Sequence, residues 1–141
     1  MKTLFGGLSA ALLAMLVGGR ILGAAASCDS LASIALPQTI ITLASVVEAG
    51  AFTPPGSAGA NPSGPAGQVF RGLPAFCRVA ATIRPSSDSD IKVEVWLPLT
   101  RWNGKFQAVG NGGWAGTITY AAMASALQRG YATASTDTGH A

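Results

Sequence analysis

A glycine-rich run is the part of this chain whose residue types and spacing could do chemistry: Gly110-Asn111-Gly112-Gly113-Trp114-Ala115-Gly116. It sits between a strand-like and a helix-like segment. Glycine lets the main chain approach a reacting atom closely and adopt positive φ. Backbone N–H groups in such a loop can converge on the oxyanion of an acyl-transfer intermediate, about 3 Å from the oxygen. The helix that follows adds the positive end of its dipole. Two other readings stay open. A plain tight turn suits a chain with 18 glycines. A dinucleotide loop fits because the run threads as G-x-G-x-x-A, although the ribose-binding acid expected about 20 residues on is missing and Asp137 falls a little late for it. A Walker phosphate loop is excluded, since the spacing is not G-x-x-x-x-G-K-[ST] and no lysine follows.

A second run, Thr136-Asp137-Thr138-Gly139-His140, holds the only histidine. A general base needs a nucleophile within hydrogen-bond reach, and no serine here lies in G-x-S-x-G. Where that elbow is used, the order is nucleophile, acid, histidine, so Asp137 and His140 come too early for a triad. They are expected in a loop at the carboxyl end of a strand, shaping a pocket or satisfying nearby backbone groups. Trp114, beside the glycines, is expected to line that pocket, whereas Trp96 and Trp102 read as core or rim. No His, Cys, Asp or Glu residues show metal-ligand spacing, so neither metal nor cofactor is expected in this chain.

The elements that must position these loops follow from periodicity. Residues 28–34 read as a helical turn with Leu31 and Ile34 on one face, started by Asp29 or Ser30 and ended by Pro37. Gln38–Val47 is a strand by its β-branched content. Residues 52–67 are mostly Pro, Gly, Ser and Ala and read as a loop that builds no core. Leu73–Ile83 and Ile91–Leu97 form a hairpin. In the second of these strands Ile91, Val93, Val95 and Leu97 face one way, and Lys92, Glu94 and Trp96 the other. Lys105–Val109 is a strand, Thr117–Arg129 a helix stopped by Gly130, and Tyr131–Ser135 a last strand. A strand, helix and strand with short connections make a right-handed βαβ unit with parallel strands. The fold class is therefore α/β: an antiparallel hairpin followed by a βαβ unit, as at the start of an α/β-hydrolase sheet. The last strand would be left as an open parallel edge.

Length allows one small domain. Residues 1–26 read as a signal peptide, with Lys2 ahead of an apolar run from Leu4 to Val17 and Ala24-Ala25-Ala26 at the cleavage positions. The run is short for a membrane span, which needs about 20 residues, so no membrane association is expected after cleavage. Lys2 and Arg20 lie in this segment and no acid does, so the formal charge of +3 falls to +1 without it. No basic patch remains to suggest nucleic acid. An exported chain with two cysteines, Cys28 and Cys77, favours a disulfide between them. Two buried thiols, or partners in other sequence, are the alternatives.

Several uncommon strings occur in one order: Cys28-Asp-Ser-Leu31, Phe76-Cys-Arg-Val79, Ile91-Lys-Val-Glu-Val-Trp-Leu-Pro98, Trp102 to Gly116, and Tyr131 to His140. On these the chain resembles the tannase and feruloyl esterase family, which also includes the bacterial mono(2-hydroxyethyl) terephthalate hydrolase. The resemblance covers most of residues 28–141 and loosens in the Pro/Gly-rich stretch. It implies an α/β-hydrolase core with a large inserted lid. It also implies hydrolysis of aromatic esters, such as gallates or ferulates, by a Ser-Asp-His triad. A disulfide flanking the triad and a calcium ion in the lid belong to the same pattern. None of these elements lies in this sequence. What the resemblance assigns here is the first oxyanion N–H, to Gly112 or Gly113, and an amino-terminal disulfide, Cys28–Cys77. The expectation is thus a piece of a secreted serine esterase, residues 27–141, inactive alone. The alternative is a non-catalytic secreted domain.

Overall fold

A computed structural model gives the structure of residues 27–56, 64–111 and 116–139. Within them lie five strands, β1 (Thr39–Val47), β2 (Phe76–Ile83), β3 (Ile91–Pro98), β4 (Phe106–Ala108) and β5 (Ala132–Thr136), and two α-helices, α1 (Pro65–Arg71) and α2 (Tyr120–Gln128). The strands form one sheet in the order β1-β2-β3-β5-β4. The pairs β1–β2, β2–β3 and β3–β5 are antiparallel, with Cys77 opposite Leu97 and Trp96 opposite Thr133. β4 runs parallel to β5. The hairpin and the β4–α2–β5 unit are as expected. The open edge is not: β5 lies inside the sheet, hydrogen-bonded on both sides, and β4 is the edge.

The register sorts the residues into two faces. On one, Glu94 and Trp96 are buried, with Phe76 and Thr133 beside them. α2 packs there through Met123, Ala124 and Leu127, together with Phe52 and Leu73. Helical spacing puts 123, 124 and 127 on one stripe. Phe52 and Phe76 each approach the Trp96 ring to 4.6 Å between centroids, and Phe52 meets it edge-on. Each such side chain contributes about 1.5–3 kcal/mol by leaving water. The other face carries Val79, Ala81, Ile83, Ile91, Val93, Val95 and Leu97, all only half-buried. There the 3₁₀ helix Asp29–Ser33 covers β1, joined to β2 by the Cys28–Cys77 disulfide.

Three element boundaries depart from expectation by more than one residue. α1 occupies part of the stretch read as loop. Pro65 stands at its first turn, where a missing N–H costs nothing, and Phe70 packs on the core. α2 begins at Tyr120 rather than Thr117. Thr117-Ile118-Thr119 is β-branched and resists helix, Ile118 packs on the core, and the Thr119 hydroxyl is bonded elsewhere. β2 starts at Phe76, after Pro74. The first turn is 3₁₀, and it is the Ser27 hydroxyl that accepts the Ser30 N–H. α2 stops as expected. Gly130 has φ +81°, and its N–H and that of Tyr131 bond to the Leu127 and Ala126 carbonyls. A Cβ there would lie 2.6 Å from the Arg101 carbonyl oxygen.

Candidate functional site

The parallel pair β4 and β5 ends at one edge of the sheet, and the antiparallel β3 starts there. In an α/β sheet the crevice beyond the carboxyl ends of parallel strands is where sites form. Two chain segments leave from this edge: the loop from Val109 into α2, and the turn Asp137–Gly139 after β5. Gly112, Gly113, Trp114 and His140 lie outside the described residues. The structure does describe the segments that flank them in the chain.

Those segments are tied by side chains. The Val109 N–H donates to the Ala134 carbonyl at 2.8 Å, continuing the parallel ladder into the loop. The Thr119 hydroxyl donates to the Gly110 carbonyl at 2.9 Å, which closes the loop on itself. The Thr119 N–H donates to Ser135 Oγ at 3.2 Å and so fixes the far end of the loop to β5. Asn111 Nδ2 donates to Thr138 Oγ1 at 3.0 Å and joins the two segments. Both ends of the glycine run are therefore held against the carboxyl end of β5. α2 begins at Tyr120, after Thr117-Ile118-Thr119, and the positive end of its dipole lies at that terminus.

The Asp137 carboxylate is nearly buried. Its Oδ1 accepts the Lys92 N–H at 2.8 Å and the Gly139 N–H at 2.9 Å. The Asp137 N–H and the Thr136 hydroxyl both donate to the Lys92 carbonyl. These bonds hold local backbone, one of the two roles expected for Asp137. Thr138, a β-branched residue, has φ +56°. Such backbone is uncommon and persists where surrounding bonds enforce it, often at functional sites. Here the Thr138 N–H donates to Thr136 Oγ1. A shallow apolar groove of about 500 Å³ runs along this edge, lined among others by Ile91, Val93, Val109, Ala134 and Thr138.

Sequence reasoning missed the polar cluster beside the start of α2. Glu94 is 3% exposed. It accepts from Arg78 through both Nε and Nη2, from Trp96 Nε1 at 2.9 Å and from the Tyr120 hydroxyl at 3.0 Å. Arg78 lies over the Phe52 ring. The hydrogen bond to Glu94 holds the Arg78 guanidinium above its usual pKa, so it stays charged. Burial, and then the Glu94 carboxylate, push the Tyr120 phenol far above its usual range. The signal was present in the sequence, since Arg78 and Glu94 fall on one face of adjacent strands. Of the other tryptophans, Trp96 is core, and Trp102 is largely exposed with its Nε1 bonded to the Lys105 carbonyl.

Among the described residues no three His, Cys, Asp or Glu side chains stand together to hold a metal ion. They do not fit the calcium that the resemblance implies, and none is assigned to it. Among them too, no helix is long and apolar enough to cross a membrane.

Comparison with known proteins agrees with the sequence resemblance. Residues 77–141 match the model of the family described as tannase and feruloyl esterase. An uncharacterized esterase of Xanthomonas campestris is 47% identical over 117 residues, covering 83% of this chain and 19% of that protein. Feruloyl esterase C of Talaromyces stipitatus is 36% identical over 119 residues, covering 80% and 21%. The crystal structure of feruloyl esterase B from Aspergillus oryzae superposes with a TM-score of 0.64 at 35% identity, over 80% of this chain and 21% of that one. The chain thus spans about a fifth of the length of these relatives, and its fold is a partial α/β-hydrolase-like domain.

Proposed function

We propose, on the premise that this chain belongs to the tannase and feruloyl esterase family, that it supplies half of the oxyanion hole of a secreted serine esterase acting on aromatic esters. The observation that carries this reading is the loop base. A glycine-rich segment is pinned at both ends to the carboxyl end of a parallel pair and leads into a helix. In α/β-hydrolases one oxyanion N–H comes from a loop in this place, between a strand and the first helix. Gly112 or Gly113 would give that N–H.

In the proposed reaction a serine oxygen attacks the ester carbonyl carbon, and the carbonyl oxygen takes the negative charge. The loop N–H holds that charge while the alcohol leaves. Water then attacks the acyl-enzyme and the acid is released. The serine, its acid and its histidine would belong to sequence outside these 141 residues. The strand that carries the serine would add to the free edge of β4, where Phe106 is 60% exposed. Trp114 and His140 would line the substrate pocket, with Asp137 holding the turn beneath. The family's calcium would sit in the lid, again outside these residues, and no step here runs through it. Export is supported by the Cys28–Cys77 disulfide and by the signal-like residues 1–26.

The test is to read the gene downstream of Ala141 and assay the whole product on methyl ferulate and methyl gallate, with a fluorophosphonate label for the serine. Turnover and labelling are expected for the whole product, and neither for residues 27–141. Turnover by residues 27–141 themselves would overturn the assignment. A second reading, a non-catalytic secreted domain, draws on the disulfide and the aromatic core. A stop codon after Ala141, with cooperative unfolding of monomeric residues 27–141, would favour it.

A further inference from the structure

Glu94 takes no part in the chemistry above, yet it is a carboxylate inside the core. Burying an ion pair costs more than filling the same space with apolar side chains, unless its hydrogen bonds are complete. Here they are: four donors from three residues converge on the two oxygens. Arg78 and Trp96 lie on β2 and β3, strands that Glu94 already shares or pairs with. Tyr120 is the partner that comes from elsewhere. It is the first residue of α2, next to Thr119, the residue that closes the glycine loop and ties it to Ser135.

The Tyr120 ring alone would not fix that position. It meets Trp96 at 6.1 Å and Phe52 at 5.5 Å between centroids. Aromatic contacts tolerate sliding, whereas a hydroxyl bonded to a carboxylate does not. The two guanidinium contacts hold the Glu94 carboxylate in one plane, as a forked pair does. We propose that Glu94 is a positioning residue: through the Tyr120 hydroxyl it sets where α2 begins, and so where the two ends of the glycine loop meet the sheet. The chain of contacts runs from Arg78 to Glu94, Tyr120 and Thr119, and from there to Gly110 and Ser135. A phenol is protonated throughout the neutral range in any case, and burial, with the Glu94 carboxylate beside it, extends that range upward, so the hydroxyl is the donor and the carboxylate the acceptor. The inference deepens the oxyanion-loop reading and rests on it.

The experiment compares the full chain with its Tyr120→Phe and Glu94→Gln variants by amide hydrogen exchange. Tyr120→Phe removes one oxygen and keeps the ring. Exchange at residues 110, 111 and 116–122 is expected to rise at least fivefold while β2 and β3 amides hold their rates. Glu94→Gln turns one acceptor oxygen into a donor that faces two donors and leaves Arg78 without its counter-charge, so exchange near the loop should rise at least as far as in Tyr120→Phe, with β2 and β3 rising as well. A uniform rise over the sheet in Tyr120→Phe, or no change near the loop in either variant, would overturn the proposal. In the whole gene product, Tyr120→Phe should lower kcat on methyl ferulate about tenfold with KM within twofold; a change in KM alone would also overturn it. Lack of esterase activity in the unmodified product defeats the reading of the function, and the exchange data still decide the positioning role.

Discussion

The two faces of the sheet differ in a way that composition does not foretell. One strand, β3, shows both. Its Ile91, Val93, Val95 and Leu97 side are uniformly apolar and half-open, while the side with Lys92, Glu94 and Trp96 meets α2 and holds the core. Hydrophobicity alone would have turned the strand over. The connection decides instead: α2 returns across the face that bears Trp96, and Glu94 becomes tolerable there because Arg78, Trp96 and Tyr120 bond to it. A polar residue in a strand thus marks the buried side when its partners lie on the same face.

Neighbouring residues on β3 give the sharpest way to break this comparison. Trp96→Ala should cost about 3–5 kcal/mol by leaving a cavity, whereas Val95→Ala, on the open face, should cost about 1 kcal/mol or less. Urea unfolding of both variants measures the gap, and equal losses would mean the open face is covered in solution. Reducing the Cys28–Cys77 disulfide should cost on the order of 4 kcal/mol in the chain-entropy model. Its two cysteines are 49 residues apart. Limited proteolysis under reduction should then cut first near residues 28–38, where cover over the open face is lost.

Titration probes the covered face more gently. The ordinary phenol value is 10.0, and Tyr120 in the folded chain lies above it. Above about pH 10 the unfolded phenol gives up its proton and the folded one keeps it, so the unfolded state binds fewer protons and stability falls as pH rises. Below that pH the contribution is fully present. Tyr120→Phe should flatten the alkaline limb of a plot of unfolding midpoint against pH. The smallest effect belongs to the hairpin end, on neither face. Asp90 pairs with Lys92 and Arg84 in the open. Asp90→Asn should leave the unfolding midpoint nearly unchanged, because exposed pairs are screened.

Much of the framework was legible from residues. β-branched content marked β1, alternation marked β3, the glycine at 130 marked the end of α2, and the cysteine count pointed to the disulfide. What escaped had a tertiary cause. α1 hides in a Pro- and Gly-rich stretch, because seven residues anchored by Phe70 give little periodicity. The three β-branched residues before Tyr120 look helical only when their alanine-rich sequel is averaged in. The position of β5 between β3 and β4 depends on how the chain returns, which no local pattern encodes. At the candidate site the glycine run stood out, but its supports did not. Thr119, Ser135 and Glu94 act over 9 to 26 positions of sequence.

The strand order also has a consequence during synthesis. β3 is complete about 40 residues before β5, its partner. At roughly 5–20 residues per second, that interval lasts several seconds. Throughout it β3 offers an unpaired backbone edge and β4 has no neighbour, so the nascent chain passes through a stage in which two strands seek one that does not yet exist. An edge of that kind invites pairing with another chain. Expression at lower temperature, or with a holding chaperone that shields β3 until Ala132–Thr136 emerges, is the condition under which this chain should be recovered folded.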